Sequence, residues 1–145
     1  MALKWLSRGG YAGAVLALSA LYFRESLLAQ GIAALSVQML AVLLMIWARV
    51  TFGRRSFHLT ADATEGGLIT SGPYRFIRHP IYASIIYFLW AGIISNFNLL
   101  NAAVGIFATI ALMIRIYAEE TLIIERYPEY PEYAGRTKRI IPFIF

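Results

Sequence analysis

The 145-residue chain contains no cysteine, which excludes disulfides, thiolate metal sites and cysteine nucleophiles. Histidine is almost as scarce. His58 and His79 are too few for a histidine-based cluster, so no metal site is expected. Charged residues make up only 14% of the chain against 59% hydrophobic residues, and the mean hydropathy of +0.63 lies well above that of a soluble domain. There is no internal repeat, no low-complexity tract and no glycine fingerprint of a dinucleotide site. The net charge of +5 does not point to nucleic acid. Its basic residues flank apolar blocks, as in loops beside anionic lipid, and form no continuous basic face.

What is present is apolar sequence in blocks, the pattern of segments surrounded by lipid. The expected fold is an all-α integral membrane protein of one domain, with four spans at about 5–23, 32–50, 81–100 and 102–118. The segment 119–145 follows as a C-terminal cytoplasmic tail. A signal peptide is disfavoured for the first block, because no small-residue cleavage site follows and a second apolar block comes at once. With both termini cytoplasmic, twelve of the thirteen Lys and Arg residues fall on the cytoplasmic side or at adjoining helix ends, and only Arg24 falls opposite. The 52–80 loop and the C-terminal tail then share a side and can meet.

The organising stretch runs from Ser71 to Tyr82 and reads Ser-Gly-Pro-Tyr-Arg-Phe-Ile-Arg-His-Pro-Ile-Tyr. Proline suits the first position of a helix, so His79 is expected beside a helix start, among free N–H groups at the positive end of the dipole. With Arg78 alongside, such a place suits a carboxylate or phosphate. Upstream, Gly66-Gly67-Leu68-Ile69 combines close backbone approach with two apolar side chains able to pack on a ligand. A flexible cytoplasmic linker is the competing reading of that loop.

The third cluster lies at the end of the fourth span. Arg115 and Glu119 are four apart and share a helix face. On a surface such a pair contributes a few tenths of a kcal/mol, whereas an ionisable group at membrane depth is a candidate functional residue. Glu120 points about 100° away from Glu119. Taken singly, His79 reads as a helix-start residue, Tyr82 as an interfacial aromatic, and Tyr127, Tyr130 and Tyr133 as an interfacial belt. Together with Tyr74, these residues provide anion, cation and aromatic groups of the kind that hold a zwitterion.

The run Gly72 to Tyr82, followed by Glu119-Glu120-x-Leu122 and a Tyr-x-x-Tyr…Pro142 tail, resembles the isoprenylcysteine carboxyl methyltransferase family and shares part of its pattern with phospholipid methyltransferases. The resemblance covers the chain from Gly66 onward, with Ala83-Ser84 where a glycine is common and Tyr127-Pro128 in place of a frequent Phe-Gly. It implies S-adenosylmethionine as cofactor, held by Gly66, Gly67, Leu68, Ile69, Tyr74, His79, Pro80, Tyr82, Glu119 and Glu120. His79 would take the methionine carboxylate and Glu119 the ammonium. Arg115 and Glu119 would be the catalytic pair, with Arg115 binding the acceptor. The expected activity is methylation of a carboxylate on a lipophilic, isoprenylcysteine-like substrate at the bilayer. Methylation of a phospholipid amine, NADPH-dependent reduction of a membrane lipid or sterol, and a non-enzymatic membrane scaffold are the alternatives.

Overall fold

The computed structural model describes residues 2–53 and 67–145, with side chains from Trp5 onward. Among these residues the regular structure is helical. Helix α1 spans Ala2–Phe23, α2 Ile32–Phe52, α3 Pro80–Ser95, α4 Leu99–Arg126 and α5 Tyr130–Arg136. A 3-10 turn, Gly72–Arg75, leads into α3.

Two of these helices, α2 and α4, are long and apolar enough to cross a membrane. Their surfaces carry the same message as their composition. Leu40, Leu43, Ile46 and Trp47 of α2, and Ile106, Phe107 and Ile110 of α4, stand exposed on the chain, an arrangement that suits lipid rather than water. Helix α3 is also apolar but has 16 residues, a length of about 24 Å at 1.5 Å per residue. It stops at Ser95, short of the expected residue 100, because the chain turns through Asn96 and Asn98. The Asn96 side chain returns to the carbonyl of Gly92 at 3.0 Å, and Asn98 caps α4 by accepting from the Asn101 N–H at 2.9 Å.

Helix α4 runs unbroken to Arg126, past the expected end of the fourth span, and carries Arg115, Glu119 and Glu120 on one rod. The tail carries a further short helix, α5, despite Pro128 and Pro131. Pro131 falls in the first turn of α5, where its missing N–H costs nothing.

α1 packs along α4 and α2 along α3, with α3 and α4 joined as a hairpin. The α1–α4 seam is built from small residues, Ser7, Gly10, Ala14 and Ala17, followed by Leu21. At Gly10 a Cβ would lie 2.5 Å from the Ala111 carbonyl oxygen and 3.1 Å from the Arg115 Cβ, so glycine sets the separation of the two backbones. Two apolar clusters fill the interior, one around Leu112, Ile116, Ile86 and Ile77, the other around Leu21, Leu89, Ile93 and Ala108.

The end remote from the tail is closed by polar groups. Gln38, buried on α2, donates to the carbonyls of Leu27 and Phe88 at 2.8 and 3.0 Å and accepts from the Ala29 N–H at 3.0 Å. Arg24 donates to the fully buried Asn101 at 2.9 Å. Every such bond satisfies a group that would otherwise be costly at depth.

Gly10→Val is expected to force α1 away from α4 and to cost about 1–3 kcal/mol, the usual range for overpacking a filled contact. Gly9→Ala is the control, since a Cβ there meets nothing within 4 Å. Thermal unfolding in detergent should show a lowered midpoint for the first variant and none for the second.

Candidate active site

The site is assembled where the 72–82 run, the end of α4 and the tail converge. Gly72 opens the 3-10 turn with φ of +56°, and a Cβ would lie 2.6 Å from Thr51 Oγ1. Only glycine takes both that conformation and that approach without strain. Pro73 and Pro80 bracket the turn and are fully buried, and Pro80 starts α3 directly after His79.

The backbone N–H groups of Arg78 and His79, just ahead of the helix start, are engaged by the tail. The tail runs beside them as a short parallel bridge between Ile77 and Lys138. Arg78 N–H donates to the Lys138 carbonyl at 2.7 Å and His79 N–H to the Arg139 carbonyl at 3.0 Å. The tail carbonyls, not an incoming anion, take these donors.

Glu120 is the centre of this junction. It is buried, and four side chains converge on it: Arg78 Nε at 2.9 Å, His79 Nε2 at 3.3 Å and Tyr130 Oη at 3.2 Å on Oε1, with Arg139 Nε at 3.0 Å on Oε2. Arg78 also reaches the carbonyls of Ala134 and Thr137, so one guanidinium ties α4, α5 and the tail together. Burial pushes the phenols of Tyr130 and Tyr133 up, the latter to about 12. Both remain hydrogen-bond donors at neutral pH, Tyr130 to Glu120 and Tyr133 to the Tyr74 carbonyl at 2.6 Å. The Tyr74 ring packs against Phe52, 5.5 Å between centroids, and its own phenol is raised chiefly by burial.

Glu119 forms a second centre one residue away. Its Oε1 accepts from the Tyr82 hydroxyl and lies 3.3 Å from Arg115 Nε. Arg115 Nε also donates to the Tyr82 oxygen at 2.6 Å, and its NH1 donates to the Ser7 carbonyl of α1 at 3.1 Å. With 3% of its surface exposed, Arg115 is a buried group and not a surface ion pair. Its guanidinium lies between two aromatic faces, 5.2 Å from the Tyr11 ring centroid and 5.7 Å from that of Tyr82. The Tyr82 ring is stacked on His79 at 5.8 Å.

The structure therefore brings together Tyr74, His79, Pro80, Tyr82, Arg115, Glu119 and Glu120. Gly67, Leu68 and Ile69 lie on the irregular stretch leading to the turn, Leu68 and Ile69 half-buried. Gly66, with His58, lies outside the described residues. Sequence reasoning missed Ser7 and Tyr11, which reach Arg115 across more than a hundred residues, and it did not single out Arg139. Among the described residues no group of His, Asp and Glu is arranged to hold a metal ion.

The fit to a sulfonium cofactor with an amino-acid end can be judged from one gap. His79 Nδ1 and Glu119 Oε2 face each other at 3.9 Å, too far for a hydrogen bond. Glu119 Oε2 thus presents acceptor capacity beside an imidazole nitrogen, and the combination fits an ammonium and its neighbouring polar groups. The ring of His79 lies between two carboxylates. These surroundings favour the cationic end of a zwitterion at Glu119 more directly than an anionic end at His79.

An apolar helical bundle with a buried arginine and two glutamates at one end suits a membrane protein with a polar cluster at its edge. The comparisons place it more closely. The profile of the isoprenylcysteine carboxyl methyltransferase family matches residues 27–125, and the chain belongs to that family. It is 38% identical over 84 residues to methanethiol S-methyltransferase 1 of Bradyrhizobium diazoefficiens, covering 57% of this chain and 28% of that protein. It is 30% identical over 76 residues to the cobalt-zinc-cadmium resistance protein CzcN of Cupriavidus metallidurans, covering 52% of this chain and 35% of that one. The matches span about a third of the length of these curated relatives. The family and the similarity to methanethiol S-methyltransferase 1 together support a membrane methyltransferase.

Arg78→Gln should leave Glu120 short of a buried cation and release the tail, at a cost of about 3–5 kcal/mol. Limited proteolysis should then cut C-terminal to residue 126 faster than in wild type, with the α3–α4 hairpin still protected. Tyr133 provides a pH test. Its folded pKa is raised above the unfolded value, so its contribution to stability is complete below about pH 10 and is lost as pH rises towards about 12. Ultraviolet titration of wild type minus Tyr133→Phe should place the difference signal near pH 12 instead of 10.

Proposed function

We propose that the protein is an S-adenosylmethionine-dependent membrane methyltransferase that methylates an anionic group on a lipophilic acceptor, a carboxylate of isoprenylcysteine type being the first candidate. The observation that carries this reading is the buried Arg115, held by Tyr82 and Glu119 next to His79. In this reading all four long helices lie in the bilayer, both termini are cytoplasmic, and the cofactor pocket faces the cytoplasm between the 67–82 run and the tail.

Glu119 would accept hydrogen bonds from the cofactor's ammonium, and Tyr74, Tyr82, Leu68 and Ile69 would line its less polar parts. When bound, S-adenosylmethionine supplies an electrophilic methyl group on a sulfonium. Arg115 binds and orients the acceptor anion, bidentate where the approach allows. Tyr82 joins the two halves, since its hydroxyl donates to Glu119 and accepts from Arg115. Positioning of the acceptor along one line supplies much of the acceleration, and the apolar helices exclude water. A carboxylate acceptor is ionised at neutral pH and needs no general base.

A thiol acceptor is the second reading, favoured by the similarity to methanethiol S-methyltransferase 1. It uses the same arginine, because a neighbouring guanidinium lowers a thiol pKa and favours the thiolate. Methyl ester against thioether in the product separates the two.

Calorimetry on detergent-purified protein should show binding of S-adenosylmethionine and S-adenosylhomocysteine but not of NADPH. Glu119→Gln should weaken both by roughly 10–100-fold, the scale of one hydrogen bond to a charged group. Arg115→Lys should keep cofactor affinity and lose transfer. Binding of NADPH alone would instead assign a reductase, and no binding by folded protein would leave a scaffold.

A further inference from the structure

Arg115 is the most deeply buried cation described in the chain, yet the proposed acceptor must reach it. Four observations bear on how. Its exposure is 3%, whereas Tyr11, whose ring centroid lies 5.2 Å from the guanidinium carbon, is 43% exposed. Tyr11 is therefore the outer layer over this side of the cation. The opposite ring, Tyr82, is committed: its hydroxyl is engaged by both Glu119 and Arg115, and its face stacks on His79.

The third observation is that the same turn of α1 also grips the arginine. The Ser7 carbonyl, one turn before Tyr11, accepts from Arg115 NH1 at 3.1 Å. The fourth concerns the backbone that carries Tyr11. Gly10 and Gly13 seat α1 directly on α4, with a Gly10 Cβ 2.5 Å from the Ala111 carbonyl oxygen and a Gly13 Cβ 3.1 Å from the Ala111 Cβ. Sliding or lifting α1 would break the small-residue seam along the whole pair. Rotation of one half-exposed aromatic side chain is the far smaller change.

We infer that Tyr11 is the residue that screens Arg115 on the bilayer side and sets which acceptors reach it. Its ring offers a π-face to the guanidinium in the resting state, which partly offsets the desolvation of that cation. An anionic acceptor replaces that face with a charge-assisted hydrogen bond, and its apolar body occupies the space the ring leaves. Tyr11 lies on α1, outside the stretch matched by the family profile, residues 27–125. The inference rests on the methyltransferase reading for its meaning, but its test does not require turnover.

The test is chemical labelling of Arg115 by phenylglyoxal, a lipid-soluble arginine reagent, in protein reconstituted into phosphatidylcholine vesicles, followed by peptide mass spectrometry. Tyr11→Ala should label Arg115 roughly 3–30-fold faster than wild type, the population shift that one cation–π contact resists. Tyr11→Phe keeps the ring face and should label at the wild-type rate. Val15→Ala, one turn along the same helix and likewise exposed, should not change it. The charged reagent 4-carboxyphenylglyoxal should show a smaller gain, since its route is from water.

Equal labelling in wild type and Tyr11→Ala, with the variant still folded by thermal unfolding, would overturn the inference. So would acceleration in Tyr11→Phe equal to that in Tyr11→Ala. If Tyr11→Ala does not fold, Tyr11→Leu carries the same expectation. S-Adenosylhomocysteine calorimetry on the same preparations tests the methyltransferase reading separately. Failure of cofactor binding with intact acceleration would sink that reading, and failure of acceleration with intact binding would sink only the role of Tyr11.

Discussion

Glu120 is the group on which the cytoplasm-facing architecture proposed for this protein depends. A carboxylate buried at the end of a membrane-type helix is tolerable only when its lone pairs are filled. Here they are filled by groups from three places: Arg78 and His79 before α3, Tyr130 at the start of α5, and Arg139 in the tail. Satisfying one charge thereby fixes the relative position of three segments that share no regular secondary structure. The backbone bridge between Ile77 and Lys138 follows from that convergence.

Glu119, its neighbour, is freed for other work by the same arrangement. Adjacent residues on a helix point about 100° apart, so one carboxylate faces the junction while the next faces Tyr82 and Arg115. The structural glutamate holds the walls, and the other supplies charge to the interior. This division explains how two consecutive acidic residues in an apolar protein avoid mutual repulsion: each has its own cations, Arg78 and Arg139 for Glu120, and Arg115 for Glu119.

Packing between α1 and α4 makes the second half of the site possible. A helix bearing larger residues at positions 10 and 13 would stand further off, and neither the Ser7 carbonyl nor the Tyr11 ring would reach Arg115. In an apolar medium helices gain little from hydrophobic association and rely on close contact of small residues instead. The device that stabilises the pair is thus also the one that dresses the arginine.

The sequence by itself determined the helical, membrane-type class, the start of α3 at Pro80, the single long rod carrying Arg115, Glu119 and Glu120, and the family. These follow from local quantities: apolar block length, proline position, and charges spaced along one helix. It also suggested that the 72–82 run and the tail meet, through the shared side of their basic residues. Tertiary structure decided the rest. That His79 N–H is taken by the Arg139 carbonyl, that Glu120 is buried under Arg78, Tyr130 and Arg139, that Pro131 opens a helix, and that Ser7 and Tyr11 touch Arg115 are consequences of which helices lie side by side. No periodicity or spacing encodes a contact between residues 11 and 115. It arises because two glycines let one helix approach another, and that can be read only once both helices are in place.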